Sequence, residues 1–450
     1  MKATAVVLAA GQGTRMHSKL PKVLHPLAGK PLIWHALRAA HESSSSAPVV
    51  VLGHAAEQIS AGIDQDMRIV IQEEQLGTAH AVKQSEALLR GKTDLVLVTN
   101  ADLPLLSSTS LKGVIDEQSN NPGPFSLLTV FSDEARGFGR ITRNPDGSVQ
   151  AIVEEAHATP EQLAIKELNV GAYCFRADWL WSALAKVPVS PKGEYYLTDL
   201  VSVAVSQGET VRALPLEDPA EAIGINTRNH LAEAEAAMRT RINSQWMASG
   251  VTIVDPSTTY IDSGVTVGQD TTIWPNTFLQ GETTVGEECD LGPNTIVRDT
   301  KIGTQCKITA SMLESAEVED DVDIGPFSHL RKGAHLASKV HLGNYAEVKN
   351  SYFASGVKMG HFSYIGDATI GENVNIGAGT ITANYDGQSK HRTEIAQDVF
   401  IGSDTMLVAP LKIGRGARTG AGSVVTKDVP ENTMVVGIPA RPIRKLDSSE

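Results

Sequence analysis

Beyond residue 250 the chain repeats itself every six residues. Ile261, Val267, Ile273, Leu279, Val285, Leu291 and Val297 are aliphatic at that interval. The register resumes at Val318, Ile324, Leu330, Leu336, Leu342 and Val348, then in shifted phase at Met359 and Ile365, Ile370 and Ile376, and Ile401, Leu407 and Ile413. Glycine often follows directly, as at Gly268, Gly286, Gly325, Gly343, Gly377 and Gly402. A short period with a small residue at the corners is the sequence form of a parallel β-helix, in which each coil buries its aliphatic residues against its neighbours. The repeat breaks once, after Thr382, where ANYDGQSKHRTEIAQDVF places polar and charged residues in the path of the next coil. A loop thrown out from a rigid scaffold is expected to cover a site.

The first 225 or so residues follow a different pattern. AVVLAA, PVVVLG, RIVIQ, DLVLVTN and FSLLTVF are short apolar runs, several of them separated by helical stretches such as GTAHAVKQSEALLRG. Strands of this kind are buried on both faces, so an α/β domain with a mainly parallel, Rossmann-like sheet is expected. Its ligands would sit beyond the carboxyl ends of the strands, where LAAGQGTR and VTNAD lie. Between the two patterns, NTRNHLAEAEAAMRTRINSQWMASG reads as one exposed helix serving as a rigid spacer. The expected organisation is therefore a nucleotide-handling domain over 1–228, a helical linker over 229–249 and the β-helix over 250–450.

A net charge of −13 argues against broad binding to nucleic acid or anionic membranes. Anionic ligands would have to meet individually placed cations. No apolar run approaches a bilayer span and no signal-peptide pattern precedes the first strand, so a cytoplasmic location is expected. Cys174, Cys289 and Cys306 have neither disulfide-framework nor zinc spacing and are expected to be reduced thiols.

The loop Gly11–Gln12–Gly13 is not a dinucleotide fingerprint, because Met16 stands where a third glycine belongs, and no GK[ST] makes it a P-loop. Two glycines after a buried strand still allow close backbone approach to a phosphate. Arg15 and Lys22 add two cations nearby, and Pro21 stiffens the segment that presents Lys22.

LAAGQGTRM followed by PKVLHPLAGKPL resembles the signature of sugar-phosphate nucleotidyltransferases, and QEEQLGTAHA, GFGRITR, IVEE, ELNVG and GEYYLTDL occur in that family's order. With the six-residue repeat, the whole chain is similar to bacterial bifunctional enzymes that combine N-acetylglucosamine-1-phosphate uridylyltransferase and glucosamine-1-phosphate acetyltransferase activities. The resemblance implies that the first half joins UTP to N-acetylglucosamine 1-phosphate and releases pyrophosphate, a reaction governed by positioning and charge neutralisation. It implies that Leu8, Ala9, Ala10, Gly11, Asn100 and Ala101 border the nucleotide, and that Arg15 and Lys22 act on the phosphates. Gln72, Gly77 and Thr78 would read the uracil, and Gly139, Glu154 and Asn169 would hold the sugar. Asp102 and Asn226 would ligate Mg²⁺. GEYYLTDL receives no individual role.

The second half resembles hexapeptide-repeat acyltransferases, which implies a left-handed β-helix, a homotrimer with sites between subunits, and acetyl-CoA as co-substrate. His361 in KMGHFSYIG would be the base that deprotonates the attacking amine, with Glu347 orienting it. Arg331 and Lys349 would hold the sugar phosphate, and Lys390 in the extruded loop is a further cation for this site. Tyr364 and Asn375 would line the acceptor pocket, Asn384 its border with the coenzyme, and Ala378, Tyr385, Ser403, Ala421 and Ile438 the acetyl-CoA path. Some relatives carry an arginine where Ile438 stands, a charge Arg441 could supply. Gln12 replaces a lysine found in others. The resemblance further implies a place in UDP-N-acetylglucosamine supply for peptidoglycan and lipopolysaccharide.

Overall fold

The computed structural model describes residues 1–63, 67–155 and 158–445. The chain divides into two units, Met1–Met238 and Arg239–Glu450.

In the first unit the central sheet runs in the order Arg212–Pro215, Phe125–Phe131, Glu167–Arg176, Leu95–Asn100, Ala3–Ala9, Val49–Leu52, Arg68–Ile71. The apolar runs explain its layering. Alternate side chains of a strand point to opposite faces, so Ala3, Ala5 and Val7 enter one core with the helices Leu32–Ser43 and Ser108–Asn120. Val6 and Leu8 enter the other, with Thr78–Lys83, Ala177–Leu184 and Leu200–Ser206. The sheet is parallel except at Glu167–Arg176, which runs antiparallel to both neighbours. That strand carries the hairpin Arg140–Arg143/Val149–Val153 on its edge. None of these three segments shows the clean apolar run of the parallel strands, so they escape a reading based on periodicity.

The second unit is a left-handed parallel β-helix whose coils stack into three sheets of 12, 10 and 9 strands, called here the first, second and third faces. The repeat dictates this. In Thr266–Val267, Thr284–Val285 and Lys301–Ile302 the polar residue is exposed and the aliphatic one is buried, and successive coils pair in parallel, Val285 opposite both Val267 and Ile302. The glycines allow the corners to stack: a Cβ on Gly268 would lie 2.5 Å from the Gly286 carbonyl.

Two sequence expectations change. The helix Arg228–Ala248 is not exposed all round, because Ala234, Met238, Ile242 and Asn243 are buried. Their spacing of four, then four and five, makes one narrow stripe that an alanine-rich composition conceals. Asn243 Nδ2 donates to the carbonyls of Pro256 at 2.9 Å and Thr259 at 3.1 Å, tying the end of the helix to the first coil. The extruded loop is only 384–392, since Thr393–Ile395 rejoins the third face against Ala368–Ile370. The three cysteines are free and buried, as expected, with Cys289 and Cys306 one coil apart. Among the described residues no helix is long and apolar enough to cross a membrane.

Candidate active sites

The first site forms where two parallel strands end side by side. Ala3–Ala9 delivers Ala10 and Gly11, and Leu95–Asn100 delivers Asp102. A third segment arrives from far along the chain: the Ile225 N–H donates to the Asp102 carbonyl at 2.9 Å, which seats Asn226 beside Asp102. Lys22 then closes the group. Its Nζ donates to Asp102 Oδ2 at 2.6 Å and to Asn226 Oδ1 at 3.1 Å. The glycine loop makes this possible, because a side chain at Gly13, whose φ is +63°, would press into the Lys22 Cβ. Lys22 therefore points at the expected metal ligands and not outward. Among the described residues no three His, Cys, Asp or Glu side chains gather to hold a metal. One carboxylate and one amide oxygen fit the sparse, hard-oxygen set that magnesium accepts while keeping water ligands.

Two cavities meet at this point. One, of about 250 Å³, is lined by Leu8, Ala9, Ala10, Gly11, Lys22, Gln72, Gly77, Thr78, Asn100 and Asp102. The other, of about 860 Å³, takes in Arg15, Gly139, Glu154, Asn169 and Asn226 and shares Leu8, Thr78, Asn100 and Asp102 with the first. The residues expected at the nucleotide and at the sugar thus separate into adjoining chambers. Ala101 does not join them; its side chain packs into the core, because it alternates with Asn100 and Asp102 across the end of the strand.

In the smaller cavity Gln72 is buried, and its Nε2 donates to the Gly77 carbonyl at 3.1 Å. Gly77 is held at φ +96°, where a Cβ would come within 2.5 Å of the Tyr195 carbonyl. Thr78 Oγ1 accepts from the Leu197 N–H at 2.9 Å. The GEYYLTDL segment thus braces the wall of the cavity. In the larger cavity Thr198 donates to Glu154 Oε1 at 3.0 Å, and Asn169 Nδ2 donates to the Tyr173 hydroxyl at 2.7 Å. Burial raises the pKa of Tyr173, so its phenol stays neutral beside the amide. Asn100 Nδ2 donates to the Gly171 carbonyl at 3.0 Å, where the pairing of the antiparallel strand is irregular between Asn169 and Tyr173. The irregularity turns Asn169 into the cleft.

On the β-helix the expected residues form two groups. His361, Ala378, Ser403 and Ala421 occupy the corner between the first and second faces on successive coils. Backbone bonds stack that edge, with Gly379 N donating to Phe362 O at 2.7 Å, Asp404 N to Ala378 O at 2.6 Å and Gly422 N to Ser403 O at 2.8 Å. Arg331, Lys349 and Tyr364 lie on the second face with Glu347, which is register partner to Tyr364. Arg331 Nη1 donates to Glu347 Oε1 at 2.9 Å. Glu347 is therefore held by Arg331 from one coil away. The Lys390 ammonium, with help from Arg331, lowers the pKa of Lys349, so the extruded loop brings a third cation to this face. Asn384 Nδ2 donates to Asp367, fixing the base of the loop. Beyond it Asp386 accepts from the Gln388 and Ser389 N–H groups at 2.8 Å each. Asn375 lies on the first face, in register with Lys358. Tyr385 is exposed on the loop, and Ile438 is 77% exposed at the C-terminal hairpin Thr433–Gly437/Ala440–Lys445. These positions are spread over two faces, a corner, a loop and a hairpin of one chain.

Some contributors carry no sequence signal of their own. Arg228 donates to the Met16 carbonyl at 3.3 Å and to His25 Nδ1 at 3.2 Å, bracing the segment that presents Arg15 and Lys22. Burial and the Arg228 charge lower the His25 pKa, leaving a neutral acceptor. Only its nearness in sequence to Asn226 pointed to this region.

Residues 5–139 match the MobA-like NTP transferase domain, and residues 393–427 match the hexapeptide repeat of succinyl-transferase. A protein of Exiguobacterium sibiricum called "Bifunctional protein GlmU" is 44% identical over 433 residues, covering 96% of both chains. A protein of the same name from Brevibacillus brevis is 42% identical over 447 residues, covering 99% of this chain and 97% of its own. Another from Geotalea uraniireducens is 44% identical over 436 residues, covering 96% and 95%.

Proposed function

The chain belongs to the bifunctional GlmU protein family and is a bifunctional transferase, and from that premise we propose the chemistry of each half. The first unit transfers the uridylyl group of UTP to N-acetylglucosamine 1-phosphate. The observation that carries this reading is the convergence of Lys22, Asp102 and Asn226 where a base-sized and a sugar-sized cavity meet. UTP enters the smaller cavity with its base toward Gln72 and Gly77. The sugar phosphate occupies the larger one against Glu154, Asn169 and Gly139. Arg15 and Lys22 orient and neutralise the phosphates during in-line attack on the α-phosphorus. Mg²⁺ held by Asp102 and Asn226 supplies Lewis-acid charge neutralisation at the phosphates when bound. Omitting each component from an assay of the full chain with UTP, N-acetylglucosamine 1-phosphate and Mg²⁺ tests the reading. Formation of UDP-N-acetylglucosamine and pyrophosphate only when all are present is the expected result.

The β-helix acetylates the 2-amino group of glucosamine 1-phosphate from acetyl-CoA. His361 takes the proton as the amine attacks the thioester carbonyl, the C–S bond breaks and coenzyme A leaves as the thiolate that takes that proton up, while Arg331 and Lys349, joined by Lys390, hold the phosphate. Beyond His361 the corner continues through Ala378, Ser403 and Ala421, whose small side chains offer the pantetheine arm a narrow track. The same corner exposes Phe327, Tyr345 and Phe362, which are 58%, 60% and 56% accessible. A column of aromatic rings beside a catalytic base is what an intersubunit site requires. We accordingly read the chain as a homotrimer that completes each acetyltransferase site with a neighbour's residues. Acetylation precedes uridylyl transfer, since its product is the acceptor of the second reaction. The rival reading, a β-helix serving only as a scaffold, predicts product solely when N-acetylglucosamine 1-phosphate is supplied ready-made. The soluble substrates suit a cytoplasmic enzyme.

A further inference from the structure

We infer that His80 is a specificity-determining positioning residue: it fixes the Gln72 side-chain amide with its carbonyl oxygen toward the base, so that the smaller cavity selects a pyrimidine carrying a hydrogen at N3. This rests on the uridylyltransferase reading of that cavity.

The argument is a count of hydrogens. An amide nitrogen carries two hydrogens and accepts nothing. Gln72 Nε2 lies 3.1 Å from the Gly77 carbonyl and 3.0 Å from His80 Nδ1. A carbonyl can only accept, which identifies this end of the Gln72 amide as the nitrogen, and His80 Nδ1 must then be the unprotonated ring nitrogen. Both hydrogens are engaged, and Oε1, which takes no hydrogen bond among the described residues, is the atom left for a ligand. The outer ring nitrogen, Nε2, faces the Gln84 amide at 3.1 Å. Gln84 Nε2 also donates to the His80 carbonyl at 3.0 Å, but Gln84 is only half-buried and can give that bond up to water when it turns to accept from Nε2–H, whereas Gln72 is 2% exposed and cannot adjust to a proton on Nδ1.

Uracil presents an N–H at N3, which Oε1 accepts. Cytosine presents a lone pair there. To bind it, Gln72 would have to turn over, setting its oxygen against the Gly77 carbonyl and the His80 lone pair together. Such lone-pair oppositions and the donors they strand are costly in a buried site. His80 contacts no ligand in this arrangement; it discriminates by forbidding the flip.

The test compares kcat/KM for UTP and CTP in the full chain with N-acetylglucosamine 1-phosphate and Mg²⁺, for wild type, His80→Asn and His80→Leu. Asparagine can place its Oδ1 near the former Nδ1 and keeps an acceptor; leucine removes it. His80→Asn should keep the wild-type UTP:CTP ratio within about threefold, while His80→Leu should lower it by roughly tenfold or more. If His80→Leu slows both nucleotides equally and leaves the ratio unchanged, His80 is merely structural and the inference is wrong. A wild-type enzyme without preference for UTP would instead overturn the uridylyl reading itself. Should His80→Leu not fold, His80→Phe, which fills the same space without an acceptor, takes its place with the same two outcomes.

Discussion

Lys22 Nζ lies 2.6 Å from Asp102 Oδ2 and 3.1 Å from Asn226 Oδ1, so an ammonium sits between the two oxygens assigned to the metal. A divalent cation and Lys22 compete for the same charge. Lys22→Met should bind Mg²⁺ more tightly than wild type, by roughly tenfold, while losing uridylyl transfer because the phosphates lose their cation. Calorimetric titration of the protein without nucleotide, set beside its turnover, checks both halves. Equal Mg²⁺ affinity in the two proteins would show that Lys22 does not occupy the metal position.

Asp102 and His361 belong to different units, and their substitutions should separate the activities. Asp102→Ala should reduce uridylyl transfer by at least about a hundredfold and leave acetyl transfer within twofold. His361→Ala should do the reverse, with acetyl transfer falling by about 10² to 10⁴. Following both products from one preparation of each variant is sufficient. Acetylation unaffected by His361→Ala would favour the scaffold reading of the β-helix.

Gly77 holds φ at +96° with the Tyr195 carbonyl in the path of any Cβ. Gly77→Ala should destabilise the first unit by about 1–3 kcal/mol and lower kcat/KM for UTP, because the Gly77 carbonyl that anchors Gln72 shifts with its backbone. Urea unfolding and UTP kinetics report the two effects, and an unchanged midpoint would refute the clash.

His35 donates from its ring to the Leu27 carbonyl at 2.8 Å, and burial lowers its pKa from 6.5 to about 4. The unfolded chain therefore takes up a proton below pH 6.5 that the folded chain refuses until about pH 4. Stability from this group is full above the unfolded value and is lost as pH falls through that window, by on the order of 3 kcal/mol. His35→Gln, which keeps a donor for Leu27, should flatten the decline in urea midpoint between pH 7 and pH 4.5. An equal slope in both proteins would assign the acid sensitivity elsewhere.

Phe327 and Tyr345 stack at 5.3 Å on the edge that carries His361. Phe362→Glu at that edge should shift sedimentation from trimer toward monomer and remove acetyl transfer, while uridylyl transfer survives. A trimer that persists with full acetylation would place the interface on another part of the β-helix.

Much of this was legible in the residues, and the reason is locality. The period of six, the glycine loop and the Val/Leu-rich runs each record a constraint that acts within a few residues, namely side-chain alternation, corner packing or a strand buried on both faces. They determined two units, a β-helix and a ligand site at the strand ends. The resemblance then supplied roles for residues such as Asn226 that no local pattern marks. Tertiary structure alone decided the rest. The antiparallel strand Glu167–Arg176 and the contact of Asn226 with Lys22 depend on pairings between distant segments, which leave no period in the chain. The buried stripe of Arg228–Ala248, the partnership of Glu347 with Arg331 and the orientation of the Gln72 amide were equally hidden. A sequence states which donors and acceptors a chain owns, but which of them meet, and which are left facing a ligand, is settled only when packing removes the water that would otherwise satisfy them all.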